Sequence, residues 1–289
     1  MSAGALVLVA TPIGNLGDLS PRAVEALRRA DVVAAEDTRR ARKLMSAASV
    51  EGGGRLIAVH GHNETQMTAR IVERVRAGER VVYVSDAGMP GVADPGERLV
   101  RACAAAGLAV EVVPGPSAAL AALVVSGLPT DRFAFEGFLP RKGRRRRERL
   151  SAVAGDDRTT VIFEAPHRIT ETLRDLADAA GDARPVAVVR ELTKLHEEVW
   201  RGRLGDAADA VGEARGEYVV VLGGAPASEE VGADDVAAAV AEEMATGASA
   251  RDVAATVAER LGVSRNIVYP VAMAARARQR DASLETGDV

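Results

Sequence analysis

The side chains best suited to chemistry gather in four short segments: Thr11–Asn15, Glu36–Arg39, His60–Glu64 and Ser85–Gly96. Each follows an apolar run. Ser85–Gly96 holds three glycines and two prolines in twelve residues. Such glycines let backbone amides approach a ligand closely, and the prolines hold the loop in shape. The same composition also suits a plain tight connector. His60, His62 and Glu64 form a His-x-His-x-Glu cluster that a metal could use at a strand end. With no cysteine ligand and no further histidine nearby, the reading taken is polar loop residues without a metal. Farther along, Arg141, Lys142, Arg144, Arg145, Arg146, Arg147 and Arg149 set seven positive charges in nine residues against Glu148 alone. Like charges at this density repel unless an anion neutralises them, so the run is expected to contact phosphates with salt-sensitive affinity. A solvated helix face or mobile loop is the bland alternative. Phe133, Phe135 and Phe138 lie just upstream, either as core or with one stacked on an unpaired base.

These segments need a scaffold, and the first half of the chain supplies a strand–helix alternation. Leu6–Ala10, Val32–Ala35, Leu56–Val59, Val81–Val84 and Val110–Val113 are short apolar runs closed by Gly, Pro or polar punctuation, as strands are. Ser20-Pro21 gives an N-cap followed by proline at the first helical position. Asn63–Arg76 and Pro95–Ala106 complete the helices. The pattern predicts an α/β fold with a parallel or mixed sheet covered on both faces. In open α/β sheets ligands bind outside the carboxyl ends of the strands, where all four polar segments fall. Pro114-Gly115-Pro116 is the expected boundary between an N-terminal α/β domain (1–113) and a second one (117–225). Beyond it, Ser117–Val125, Arg168–Ala179, Thr159–Phe163, Val186–Val189, Val199–Gly202 and Tyr218–Leu222 repeat the helix and strand patterns. An alanine-rich tail, 228–289, is expected to form three short helices (234–244, 249–261, 264–276), like a small helix-turn-helix unit with Gly262–Arg265 as its turn. The tail carries more acid than base, so no nucleic-acid contact is assigned to it.

Composition closes several routes. The 289 residues suit about two domains with an appendage. The longest apolar run, Ala118–Val125, is well short of the ~20 residues of a membrane span. No Lys or Arg precedes Ala5–Ala10, so this run is expected to be a first strand and not a secretory signal. Cys103 is the only cysteine, which excludes an intrachain disulfide or a CxxC pair, suits the cytoplasm, and reads as plain core. No GxGxxG follows a strand, and no GxxxxGK[ST] or HExxH occurs. A net charge of −4 and eight aromatics speak mildly against nucleic acid. That average is misleading: outside residues 141–149, 30 basic side chains face 40 acidic ones.

Taken in order, Ala10–Leu16, Ala35–Arg39, His60–Glu64, Val84–Pro90, Asp94–Gly96 and Pro114–Ser117 resemble the tetrapyrrole methylase superfamily. Asp131–Phe133 with Glu136–Pro140, Glu164–Arg168 and Arg190–Lys194 continue the match, most closely to the branch that methylates small-subunit ribosomal RNA. The resemblance spans about residues 5–225 and extends to the helical tail. It implies two α/β domains with S-adenosylmethionine in the cleft between them. It implies methyl transfer to a cytidine ribose 2′-oxygen in the decoding region of 16S ribosomal RNA, the small ribosomal subunit as partner, and a homodimer. By the family pattern the donor would lie against Pro12, Asp86, Ala87, Gly88, Pro90 and Val92, with Ser117, Ala118, Phe163 and Leu192 from the second domain. Met89 stands where the family usually has threonine, and Phe163 where tyrosine is frequent.

Methyl transfer from a sulfonium is mainly a positioning problem. A ribose hydroxyl nevertheless needs a base or hydrogen-bonding partner for its proton. Candidates on the expected rim are Glu36, Asp37, His60, Glu64, His167, Glu191 and Lys194, any of which could equally be salt-bridged scaffold. Arg39, Arg168 and Arg190 offer bidentate forks for phosphate or carboxylate. Two other readings remain open: a methyltransferase for a tetrapyrrole or other small molecule, and a ribosome-binding factor without catalysis.

Overall fold

Valine-rich runs of four or five residues are too short for stable helices, and their branched side chains fit a pleated sheet. In the computed structural model, which describes residues 4–50, 54–226, 232–246, 248–261 and 264–285, these runs become strands. β1 (Ala5–Val9), β2 (Val32–Ala35), β3 (Arg55–Ala58), β4 (Arg80–Val84) and β5 (Ala109–Val113) pair in parallel, in the order β3-β2-β4-β1-β5. Alternate residues point to opposite faces. Val7, Val9, Val33 and Val82 therefore pack with α1 (Pro21–Arg28) and α2 (Thr38–Ala47), while Leu6, Val32, Val81 and Tyr83 pack with α3 (Glu64–Arg76) and α4 (Glu97–Ala105). Ser20 caps α1 by accepting from the Ala23 amide at 3.1 Å. The helix α2 went unread in the sequence because its inward-facing Ala41 and Met45 are sparse among four cations. Asp37 starts it by accepting from the Arg39 amide at 2.7 Å.

The second sheet is mixed. β6 (Phe133–Phe138) and β7 (Thr159–Glu164) are parallel, whereas β8 (Pro185–Arg190), β9 (Glu198–Arg203) and β10 (Tyr218–Leu222) join antiparallel, in the order β6-β7-β10-β8-β9. On one face α5 (Ala118–Ser126) covers Val161, Val189, Val219 and Val221. On the other, α6 (Arg144–Gly155), α7 (Ile169–Ala180) and α8 (Leu204–Ala210) cover Ile162, Val188 and Val220. The chain divides into compact units at Ala225/Pro226. In the second unit α9 (Ala233–Met244), α10 (Ala250–Leu261) and α11 (Arg265–Glu285) surround their own core of Val236, Val240, Val253, Val257 and Val268. Of the expected turn in this tail, Gly262 and Val263 lie outside the described residues. No described helix is long and apolar enough to cross a membrane.

The basic run is not a uniform cationic tract. Helical spacing turns Arg146 inward with Leu150 and Val153, so Arg146 is removed from the set expected to meet phosphate. Its guanidinium donates from Nε to Asp175 Oδ2 (2.8 Å), from Nη1 to the Pro140 carbonyl (3.0 Å) and from Nη2 to Thr172 Oγ1 (3.0 Å). Thr172 passes its own proton on to Glu164 Oε2 at 2.7 Å. Glu164 also accepts from the Ala165 amide and pairs with Arg168, whose Nη2 donates to the Leu139 carbonyl. Arg149 is bound to Glu136 of β6, and Arg144 to Glu148. Arg141, Lys142, Arg145 and Arg147 are exposed, with no carboxylate partner among the described residues. Removing one partner of a buried ion pair strands the other. Arg146→Met is therefore expected to cost about 3 kcal/mol in urea unfolding. Arg145→Ala should stay within about 0.5 kcal/mol. Equal costs would refute the distinction.

Candidate functional site: a cavity at the strand ends

β1 and β4 are neighbours at the centre of the parallel sheet, so the loops that follow them leave its carboxyl edge side by side. They are joined there: the Thr11 amide donates to the Gly88 carbonyl at 2.9 Å, and the Gly88 amide to the Thr11 carbonyl at 3.0 Å. The 85–96 loop ends at Gly96, whose φ of +133° only glycine adopts readily, and where a Cβ would fall 2.8 Å from the Tyr83 ring. Glu64 Oε1 accepts from the Gly96 amide at 3.0 Å and so fixes the loop from α3. Asp86 ties the other end to α2, accepting from the Asp37 amide at 3.1 Å and lying 3.4 Å from Arg40 Nε.

Between this loop and the second sheet lies a cavity of about 330 Å³. From the first sheet's loops it is lined by Ile13, Ala87, Gly88, Met89, Val92, Ala93 and Asp94. Ser117 and Ala118 enter at the start of α5, where the Ser117 hydroxyl caps the helix. Phe138, Phe163, Glu164, Val189, Leu192, Glu217 and Tyr218 close the far side. Of the residues expected against a donor, Ala87, Gly88, Val92, Ser117, Ala118, Phe163 and Leu192 are therefore on the wall. Pro12 and Asp86 instead line a separate groove of about 400 Å³, and Pro90 is buried and lines neither. Met89 presents an apolar thioether to the cavity in place of a hydroxyl.

None of the seven residues proposed to handle a proton lines the cavity. Glu64 is committed to Gly96. Glu191 and Lys194 hold a strained turn: Glu191 and Thr193 have φ of 51° and 65°, conformations that side-chain-bearing residues adopt at a cost of ~1–3 kcal/mol. Lys194 Nζ donates to Glu191 Oε1 and to Glu217 Oε2, both at 2.8 Å, and holds the Glu191 carboxyl below its usual range. The turn carries Leu192 to the cavity wall. His60 sits edge-on to His62, ring centroids 6.0 Å apart, with its Nδ1 buried and unpartnered. Glu36 is half-buried, its Oε2 has no partner, and burial and then Asp86 push its carboxyl up. His167 is exposed. Among the expected forks, Arg39 binds Asp37, Arg168 binds Leu139 and Glu164, and Arg190 lies 3.5 Å from Glu198.

Three carboxyls line the cavity, Glu164, Glu217 and Asp94; the first two are ion-paired, with Arg168 and Lys194, and sequence reasoning missed the third, Asp94. Burial, then the nearby charge of Glu36, raises it to about 6, offset in part by the Ser85 hydroxyl. It stands in the glycine-rich loop already singled out, but its burial depends on neighbours far away in sequence. The three phenylalanines also separate. Phe138 is on the wall and 55% exposed, braced edge-on by Phe163 at 5.8 Å, while Phe135 packs inward against the same ring at 4.9 Å.

The profile of the Tetrapyrrole (Corrin/Porphyrin) Methylases matches residues 5–208, which include the cavity loops and most of both sheets. Ribosomal RNA small subunit methyltransferase I of Mycobacterium tuberculosis (strain CDC 1551 / Oshkosh) is 48% identical over 248 residues, 86% of each chain. The protein of that name from Xylella fastidiosa (strain Temecula1) is 50% identical over 226 residues, 77% of this chain and 82% of its own. Among solved structures, uroporphyrin-III C-methyl transferase from Thermus thermophilus, complexed with S-adenyl homocysteine, is 25% identical with a TM-score of 0.54, covering 76% of this chain and 97% of that one. The chain thus belongs to the tetrapyrrole methylase family, and within it groups with the ribosomal RNA small subunit methyltransferase I proteins.

Proposed function

We propose that this protein transfers the methyl group of S-adenosylmethionine to 16S ribosomal RNA, at the ribose 2′-oxygen of a cytidine in the decoding region. Residues 1–113 and 117–225 serve as the two sides of the cleft and 228–289 as an appended tail. One observation carries the reading beyond the relatives' names: the cavity wall runs directly into the cationic segment. Phe138 lines the cavity, and Arg141 stands three residues later. A donor site and a phosphate-binding segment are thus built on one stretch of chain.

The cavity suits the donor in size and chemistry. It is largely apolar, its Gly88 backbone is unshielded by a side chain, and the Asp94 and Glu217 carboxylates can face a cation. When bound, the donor supplies a methyl group activated by a positively charged sulfur. Ile13, Met89, Val92, Phe163 and Leu192 then exclude water and hold the reacting groups in line, which is where most of the acceleration of such a step arises. Phe138 offers its exposed face to the acceptor base. Arg141, Lys142, Arg145 and Arg147 hold neighbouring phosphates. Asp94, with a carboxyl near 6, is mostly ionised at neutral pH and accepts the ribose hydroxyl proton. Such chemistry takes place on ribosomes, in the cytoplasm.

Val110 and Val112 on the open edge of β5, with Leu120 and Val124 on α5, expose apolar surface that a second copy of the chain would cover. Val124→Glu is expected to shift a dimer to monomer in sedimentation; an unchanged dimer, or a wild type already monomeric, would refute that assignment. For the reaction, undermethylated small subunits incubated with labelled donor should carry label on a cytidine ribose. Label confined to a small-molecule acceptor, or absent from the RNA, would sink the proposal. For Asp94, wild-type kcat should fall as pH drops through about 6, because the carboxylate becomes protonated. Asp94→Asn should lower kcat by about 100-fold or more and abolish that acid limb. An acid limb that survives the substitution would clear Asp94 of the role.

A further inference from the structure

We propose that α2 is a second RNA-docking surface, which grips the substrate's phosphate backbone on the first sheet's side of the cavity. The inference rests on the ribosomal RNA reading above. α2 carries Arg39, Arg40, Arg42 and Lys43, four cations in five residues, and no acid. Ala41 and Met45 take the buried positions, so all four cations are exposed. Arg39 and Arg40 have carboxylate partners in Asp37 and Asp86; Arg42 and Lys43 have none among the described residues.

At the end of α1 and in α4, by contrast, an arginine pairs with a glutamate one turn away: Arg29 with Glu25 and Arg101 with Glu97. Such i,i+4 pairing relieves repulsion and adds a little helix stability. In α2, Arg42 and Lys43 have Arg39 and Arg40 one turn before them and no acid one turn after, so relief must come from an external anion. The protein otherwise carries an excess of acid, which makes this concentration of charge a local feature.

Position identifies the anion. Arg40 and Lys43 border the groove of about 400 Å³ whose floor includes Thr11, Pro12, Ser85 and Asp86. Thr11 is hydrogen-bonded in both directions to Gly88, which lines the methyl-donor cavity. Groove and cavity are therefore back to back across one backbone bridge. An RNA chain that places a ribose in the cavity brings the phosphates on either side of it within reach of this groove. An acidic protein segment would have no reason to lie beside the reacting hydroxyl.

The test is the double variant Arg42→Gln/Lys43→Gln, which keeps two good helix formers at exposed positions. Small-subunit affinity is measured by filter binding over a range of salt, with donor binding followed by calorimetry as a check on the fold. Each lost phosphate contact lowers the slope of log affinity against log salt by about 0.7–0.9, so the variant's slope should be shallower by about 1.5, with on the order of ten-fold weaker binding at moderate salt and unchanged donor affinity. Arg42→Lys/Lys43→Arg should restore the wild-type slope. A slope and affinity equal to wild type would overturn the proposal. So would a cleavage probe tethered at Arg42→Cys, where the native thiol of Cys103 is buried, that cuts ribosomal protein and leaves the RNA intact. A wild-type protein that binds no subunit at all would instead refute the function from which the inference starts.

Discussion

The parallel pairing of β1 with β4 is the constraint on which the site depends. Their register, Leu6 with Val81 through Leu8 with Tyr83, puts both carboxyl ends on one edge of the sheet. Two loops that are 74 residues apart in sequence, at Thr11 and Ser85, then meet closely enough to share hydrogen bonds. The loops that line the cavity and the groove beside α2 hang from that pairing. A parallel sheet buried on both faces tolerates little slippage, because a one-residue shift would turn each valine to the opposite helical layer.

Charge in this protein is meaningful by position and misleading by sum. Two arginines of one run, Arg145 and Arg146, are adjacent in sequence and opposite in role. The first stands in solvent, and the second satisfies three acceptors in the interior. The same holds for acids. Glu64 and Asp86 spend their oxygens on backbone amides of neighbouring loops, while Asp94 is half-buried, beside like charges, and correspondingly hard to ionise. The site combines carboxylates that hold the scaffold with one kept available.

The central strands were legible because burial on both faces leaves a continuous valine signature, and α1 because Ser20-Pro21 marks its start; β6, with no valine and a half-exposed face, was not. α2 and α8 were not, since Arg, Ala and Asp dilute the apolar spacing that would reveal them. Much of the cavity's apolar wall could be placed from the ordered loops, yet the carboxyl proposed to take the proton could not. A carboxylate's role depends on whether another part of the fold has already engaged it, and the amide that engages Glu64 is 32 residues away. Phe138 differs from Phe135 by three positions, and the bulge in β6 between Phe135 and Gly137 brings both to one face, where each ring meets Phe163.

The chain of bonds from Arg146 through Thr172 to Glu164 has a mechanical meaning. Glu164, Ala165 and Pro166 form part of the cavity wall, and Arg146 belongs to the helix whose other arginines face solvent. The helix proposed to meet the phosphates is thus tied to the pocket through polar contacts of fixed direction. Force applied to that helix has a short load path to the cavity wall.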